Sequence, residues 1–264
     1  MMKTGITHLV AGKTPLDEFF AQSAAAGYEV VELVMRREGE LSPATSADEL
    51  AAIVEKAKAR GVEIVSMCHS HMTGNLLDSG DAGKTAREET AAGLRAAKAL
   101  GAHNTLHTLG RLRADLYYED AYRNAVANLK ELAPVCAELD VALAVEFVWS
   151  GFLFSPLEMR RMLDEVASPH IGFYFDPGNM AVFQFPQHWV RACAPHVKMV
   201  HMKDWKGRAL NGAWTPLLEG EVEFPVVMKE LRAAGYDGPL VSEVSTDLAS
   251  LADTAAKIRR IAAM

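Results

Sequence analysis

The sequence predicts an α/β protein of one domain, residues 1–264, folded as a closed (β/α)8 TIM barrel. Three observations carry this reading. Eight short apolar runs alternate with longer helix-period segments from end to end, the length suits one such barrel, and no Gly-rich phosphate loop follows the first run.

The first run, KTGITHLVAG (3–12), leads into Gly12-Lys13-Thr14, which mimics the tail of a P-loop. The upstream glycine of that motif would fall at position 7, which holds Thr7, so the match is discarded. YEVVELVM (28–35) is the second strand, and SADELAAIVEKAKARG (46–61) the helix after it, opening on Ser46 as cap and closing on Gly61. VEIVSMCHSH (62–71) and KTAREETAAGLRAAKALG (84–101) repeat the unit, as do GAHNTLHTLG (101–110) and EDAYRNAVANLKELAPVCAELD (119–140). VALAVEF (141–147), IGFYFDPGNM (171–180), VKMVHMKDW (197–205) and GPLVSEV (238–244) supply strands five to eight. STDLASLADTAAKIRRIAAM (245–264) closes the chain as a helix. These runs are rich in Val, Ile, Leu or Phe without clean alternation, as expected of parallel strands buried on both faces. Gly27, Gly61, Gly101 and Gly235 each end a helix just before a strand, a repeated junction.

Composition narrows the function. The 27 basic against 34 acidic residues give a formal net charge of −7, and Lys and Arg are dispersed over helices, so nucleic acid is not an expected partner. Three cysteines without paired spacing read as reduced thiols. The first residues lack an apolar core adequate for a signal peptide, and no apolar run approaches the ~18 residues of a membrane span. A cytoplasmic enzyme is expected, with no membrane partner.

Catalytic groups of such barrels sit at the C-terminal ends of strands. Strand two ends near Glu32, strand three near His69 and His71, and strand four near His107. Strand five presents Glu146, strand six Asp176 with Asn179, strand seven His201, Lys203 and Asp204, and strand eight Glu243. A lone Glu at a strand end is usually a paired or half-exposed group. Glu146, Asp176, His201 and Glu243 on four successive strands are harder to obtain by accident. Three carboxylates converging on one barrel mouth would repel one another, and a divalent cation resolves that conflict. Three oxygens and one imidazole suit Mn2+ best, with Mg2+, Co2+ and Zn2+ also compatible. His69 and His107 read equally as hydrogen-bonded core histidines, and Lys203 with Asp204 as a salt bridge at the rim. Trp149, Phe152, Phe154, Phe183 and Phe185 can stack on a sugar, receive an apolar aglycone, or bury a homo-oligomer contact.

These segments resemble the sugar phosphate isomerase/epimerase family, with its xylose isomerase-like barrel. YEVVELV (28–34), VALAVEF, IGFYFDPGNM, HMKDWKG (201–207), PLLEGEVEF (216–224) and GYDGPLVSEV (235–244) carry the likeness. It implies a metal held by Glu146, Asp176, His201 and Glu243. In ketose 3-epimerase members the first and last carboxylates also form the acid–base pair, which here would be Glu146 and Glu243. The sequence departs from the family where Asp-x-x-His becomes Asp176-x-x-Asn179, and where Phe152 replaces an acidic residue of some epimerases. Arg208 is the nearest match to a substrate-binding arginine, displaced by a residue. His69, His107, Asn179, Lys203 and Arg208 are thus the candidate substrate contacts.

The expected reaction is isomerisation or epimerisation of a ketose or related keto-sugar through an enediolate. The alternative is a lyase or dehydratase acting on a keto-sugar, keto-inositol or 3-keto-glycoside, with His107, His69 or Lys203 as general acid. The loops 148–154 and 180–186 carry no Lys or Arg for a phosphate, which favours a neutral substrate. A DNA-repair phosphodiesterase would need more histidine ligands and a basic surface. A non-catalytic binding subunit would not need all four ligand types.

Overall fold

Eight parallel strands close into a barrel in the computed structural model, which describes residues 2–264. Strand β1 (Thr4–Thr7) runs into a 3-10 turn, His8–Ala11, and helix α1 (Leu16–Ala26) returns to β2 (Val30–Val34). Then follow α2 (Ala47–Ala59), β3 (Glu63–Cys68), α3 (Gly80–Ala99), β4 (Asn104–His107), α4 (Tyr118–Leu139) and β5 (Ala142–Glu146). Helix α5 (Pro156–Val166), β6 (Ile171–Phe175), the short α6 (Pro177–Ala181), α7 (Pro186–Cys193) and β7 (Val197–Met202) come next. The last quarter holds β8 (Asp204–Arg208), β9 (Asn211–Thr215), α8 (Phe224–Ala233), β10 (Leu240–Ser242) and α9 (Leu251–Ala262). The ring runs β1-β10-β7-β6-β5-β4-β3-β2, so β10 is the eighth barrel strand and closes on β1.

The predicted junctions are present. Gly27, Gly61, Gly101 and Gly235 all have φ between 74° and 86°, the left-handed conformation that ends a helix at low steric cost. Helix α2 opens on a capping box in which Ser46 Oγ accepts from Glu49 N while Glu49 Oε2 accepts from Ser46 N.

Two expectations need correcting. The C-terminal helix begins at Leu251, not at 245, because Ser245 Oγ takes the Asp247 N–H into a local turn and Ser250 caps the helix instead. Strand seven, expected over 197–205, ends at Met202, and Asp204 and Trp205 instead open an antiparallel hairpin, β8 with β9, outside the barrel. Asp204 anchors it, accepting backbone N–H bonds from Trp205, Gly220 and Val222.

Side chains alternate between the barrel interior and the helix layer. Val34, Cys68, Leu106, Ala144, Tyr174, Met199 and Val241 pack together inside. Stepping two residues along three of those strands brings Glu146, Asp176 and His201 to the same inward side, just above this plug, and Glu243 follows two residues after Val241. Residues one step off, such as Val145, Phe173 and Val200, join the main core between strands and helices. The three cysteines are buried and unpaired. Among the described residues, no helix is long and apolar enough to cross a membrane.

Candidate metal centre

Glu146, Asp176, His201 and Glu243 each turn one ligand atom toward a common point, all four atoms lying within 4.8 Å of one another. They come from β5, the end of β6, β7 and the end of β10. Asp176 and His201 are fully buried, Glu146 nearly so. His201 Nδ1 lies 3.5 Å from Glu146 Oε1 and 3.0 Å from Glu243 Oε2, but off the hydrogen-bonding axis. His201 Nδ1 is therefore a buried atom without a hydrogen bond, and Asp176 Oδ2 and Glu243 Oε2 are buried oxygens that share one ammonium, that of Lys203. Three carboxylates and an imidazole lone pair around one point form the donor set of a Mn2+-like divalent cation, so these residues fit such an ion.

Lys203 enters from the same strand, two residues past His201. Its Nζ stands 2.9 Å from Asp176 Oδ2 and 2.8 Å from Glu243 Oε2, and 5.0 Å from the centre of the Trp214 ring. Burial alone would lower its pKa, but Asp176 and Glu243 outweigh that and raise it, so the ammonium is charged. The carboxylates of Glu146 and Glu243 diverge. Burial, reinforced by Glu243, pushes Glu146 up to about 7. The cost of burying Glu243 is overcome by Lys203 and His201, which hold it well below the usual carboxylate range.

Asn179 is drawn into the cluster. Its backbone N–H donates to Asp176 Oδ1 at the start of α6, and its Nδ2 donates to Glu146 Oε1 at 3.2 Å and to Phe147 O at 3.1 Å. One side chain thus ties the ligand of β5 to that of β6.

The other expected substrate contacts are not brought to the cluster. Cys68 and Leu106 are the inward residues of β3 and β4, so His69 and His107, each one position later, face α3. His107 Nδ1 accepts from Leu109 N, and its Nε2 meets Thr73 and Thr90. His69 packs edge-on to His107 and against Gly93, where an added Cβ would stand 2.2 Å from His69 Nδ1. Burial, with the neighbouring His107, drives the His69 pKa well down, and burial lowers His107 to about 3, so both rings are neutral. Arg208 lies on the exposed hairpin, paired with Glu221 at 2.9 Å.

Sequence reasoning placed Glu32 at the end of strand two and gave it no role. It is not a strand-end group but sits inside β2, wholly buried, and accepts from Thr7, Ser66, Tyr174 and His201. The available signal was a charged residue at the centre of VVELV, on the same inward parity as Val34.

A cavity of about 340 Å³ opens beside the cluster, lined by Lys203, Glu243, Trp214, Thr215, Ser245 and Leu248 among others. Trp149 stacks on Trp214 with centroids 5.4 Å apart and an interplanar angle of 1°, and its Nε1 donates to Asn179 O. Phe183 and Phe154 meet edge to face next to Trp149 and stay half-exposed. Phe152 is buried against Tyr118 and so is not free to meet a ligand.

The chain belongs to the xylose isomerase-like TIM barrel family, whose model matches residues 20–263. It is 26% identical over 221 residues to L-ribulose-5-phosphate 3-epimerase UlaE of Escherichia coli O157:H7 (strain EC4115 / EHEC), an alignment covering 81% of this chain and 75% of that protein. Among solved structures, D-psicose 3-epimerase in the presence of D-fructose superposes with a TM-score of 0.78 at 16% identity, covering 99% of this chain and 97% of the other. The 3-keto-D-glucoside 4-epimerase YcjR from E. coli superposes with a TM-score of 0.77 at 15% identity, covering 100% of both chains. These structures share the fold, and the relatives named are sugar epimerases.

Proposed function

We propose that this protein is a divalent-metal-dependent isomerase or epimerase of a ketose or related keto-sugar, acting through an enediolate. The observation that carries the reading is the convergence of ligand atoms of Glu146, Asp176, His201 and Glu243 within 4.8 Å, with His201 Nδ1 buried and without a hydrogen bond. A divalent ion held by these four, Mn2+ by donor chemistry, supplies Lewis-acid polarisation of a carbonyl and a neighbouring hydroxyl.

The chain's own groups supply the proton chemistry. Glu146 and Glu243 stand on strands three steps apart in a ring of eight. One carboxylate removes the α-proton from one face of the substrate, and the other returns a proton from the opposite face, which inverts the carbon. Asn179 keeps the Glu146 carboxylate oriented through its 3.2 Å bond. Lys203, charged and at the cavity wall, donates to a substrate oxygen and offsets negative charge developing there. Trp214 and Trp149 form the apolar wall along which a sugar ring lies.

The substrate is neutral, because the loops 148–154 and 180–186 carry no Lys or Arg for a phosphate and Arg208 is paired with Glu221. The lyase alternative asks for a general acid, and two of its three candidates, His69 and His107, face α3. Epimerisation is therefore the favoured reaction. The protein acts as a single domain in the cytoplasm.

The test is incubation of the Mn2+-loaded protein with neutral and phosphorylated ketoses and with inositol ketones in deuterated water, followed by NMR. Deuterium entering at one carbon, together with a stereoisomeric product, is expected. An unsaturated product would establish the lyase, and preference for the phosphosugar would overturn the neutral substrate. No exchange from any substrate would remove the reading.

A further inference from the structure

Beneath the four candidate ligands, Glu32 is a carboxylate sealed inside the barrel and served by four strands. Thr7 Oγ1 on β1 donates to Oε1 at 2.8 Å, Ser66 Oγ on β3 to Oε2 at 2.7 Å, and Tyr174 OH on β6 to Oε2 at 2.7 Å. His201 Nε2 on β7 lies 3.0 Å from Oε1. The Thr7 oxygen also accepts from Leu9 N, so its one proton is committed to Glu32.

A buried carboxylate is an expensive way to receive three hydroxyl protons, because hydroxyls rotate and serve a neutral amide equally well. What the negative charge adds is direction at the fourth partner. An ionised carboxylate accepts only, so His201 must present Nε2–H to it. In the neutral ring, the form that can ligate a cation, this leaves the lone pair on Nδ1, the atom turned toward Glu146 and Glu243. The Tyr174 ring lies against the imidazole with centroids 4.5 Å apart, which limits its rotation.

We propose that Glu32 is the positioning residue of this centre. It locks His201 in the Nε2–H tautomer and, by its charge, makes Nδ1 a stronger donor to the cation. The inference rests on the reading of Glu146, Asp176, His201 and Glu243 as a cation site. The chemistry is that of a carboxylate behind a metal-ligating histidine, whose removal costs roughly 10–100-fold in metal affinity.

The experiment compares the full chain as wild type, Glu32→Gln and His201→Ala. Mn2+ and Zn2+ binding is measured by calorimetry, and fold by circular dichroism and thermal melting. Histidine-selective 15N NMR of the Zn2+-loaded wild type reads which ring nitrogen of His201 carries the proton. The expected result is a proton on Nε2 and a metal Kd raised about 10–100-fold in Glu32→Gln, with the fold retained. A Kd within twofold of wild type, even with a lowered Tm, would mean Glu32 only supports the barrel and would overturn the inference. A proton on Nδ1 would do the same without any variant, which settles the matter if Glu32→Gln does not fold. Wild type that takes up neither ion, or uptake that His201→Ala leaves intact, removes the site reading and this inference together. Binding by wild type that is lost in His201→Ala but kept in Glu32→Gln removes this inference alone.

Discussion

Replacing Lys203 by Met tests how the cluster is held together. The ammonium lies within 2.9 Å of Asp176 and 2.8 Å of Glu243, and its side chain is 13% exposed. The three carboxylates bring ligand oxygens within 4.8 Å of one another. At an effective dielectric of about 20, like charges at that separation repel by about 3.5 kcal/mol per pair. Methionine keeps an unbranched apolar stem at this position but removes the charge that offsets this repulsion. Breaking a buried pair from one side costs roughly 3–5 kcal/mol. For a chain of 264 residues, at ~2.1 cal/mol/K per residue, that cost lowers the melting temperature by about 5–9 °C. The assay is calorimetry of wild type and Lys203→Met, each with EDTA and with saturating Mn2+. In EDTA the variant melts lower by this amount. With Mn2+ the gap narrows, because the ion supplies the missing positive charge. An unchanged melting point in EDTA, or a gap that widens with Mn2+, would refute the electrostatic account of the site.

The remaining predictions concern the acid–base pair and the residues outside the cluster. Glu146→Gln and Glu243→Gln each lower kcat by about 10²–10⁴-fold while leaving the fold intact, and deuterium wash-in is lost with turnover; a variant within fivefold of wild type removes that residue from the pair. Gly93→Ala destabilises the protein by roughly 1–3 kcal/mol, seen as a lower urea midpoint, because its Cβ would meet His69 Nδ1 at 2.2 Å in a fully packed layer. Arg208→Ala leaves kcat/KM within twofold, since its Glu221 pair is an exposed one on the hairpin; a tenfold loss would bring Arg208 back as a substrate contact.

The barrel and the four converging groups were legible because each rests on a pattern confined to one strand. VALAVE, IGFYFD, VKMVH and PLVSE each end an apolar run on one ionisable residue, and two-residue periodicity carries it to the inward side. The same periodicity, followed one residue further, would have turned His69 and His107 away from the mouth. Reading strand ends by position without parity lost that distinction. Glu32 was hidden for the opposite reason: the acid between Val31 and Leu33 was read as a strand terminus, and its four partners come from strands as distant as residues 7 and 201. No local signal reports such a network. Lys203 was ambiguous because its partners, Asp176 and Glu243, are 27 and 40 residues away and meet only when the ring closes. The hairpin β8–β9 escaped notice because its reversal falls at Ala209-Leu210, with Leu210 at φ 66°, whereas the turn-like Asn211-Gly212 pair lies inside β9.

That hairpin sits in series with the seventh strand. His201 and Lys203 lead straight into Trp205, and the chain returns through Trp214 to the wall of the cavity before Asp204 fastens the far end at Gly220 and Val222. Part of the cavity wall is therefore carried by a hairpin outside the barrel, while the four candidate ligands stand at the ends of barrel strands. Exchanging Trp214 and Thr215, the hairpin residues that line the cavity, between related barrels would alter what the entrance admits while the four candidate ligands stay as they are, a route by which one scaffold could diversify its diet without rebuilding its engine.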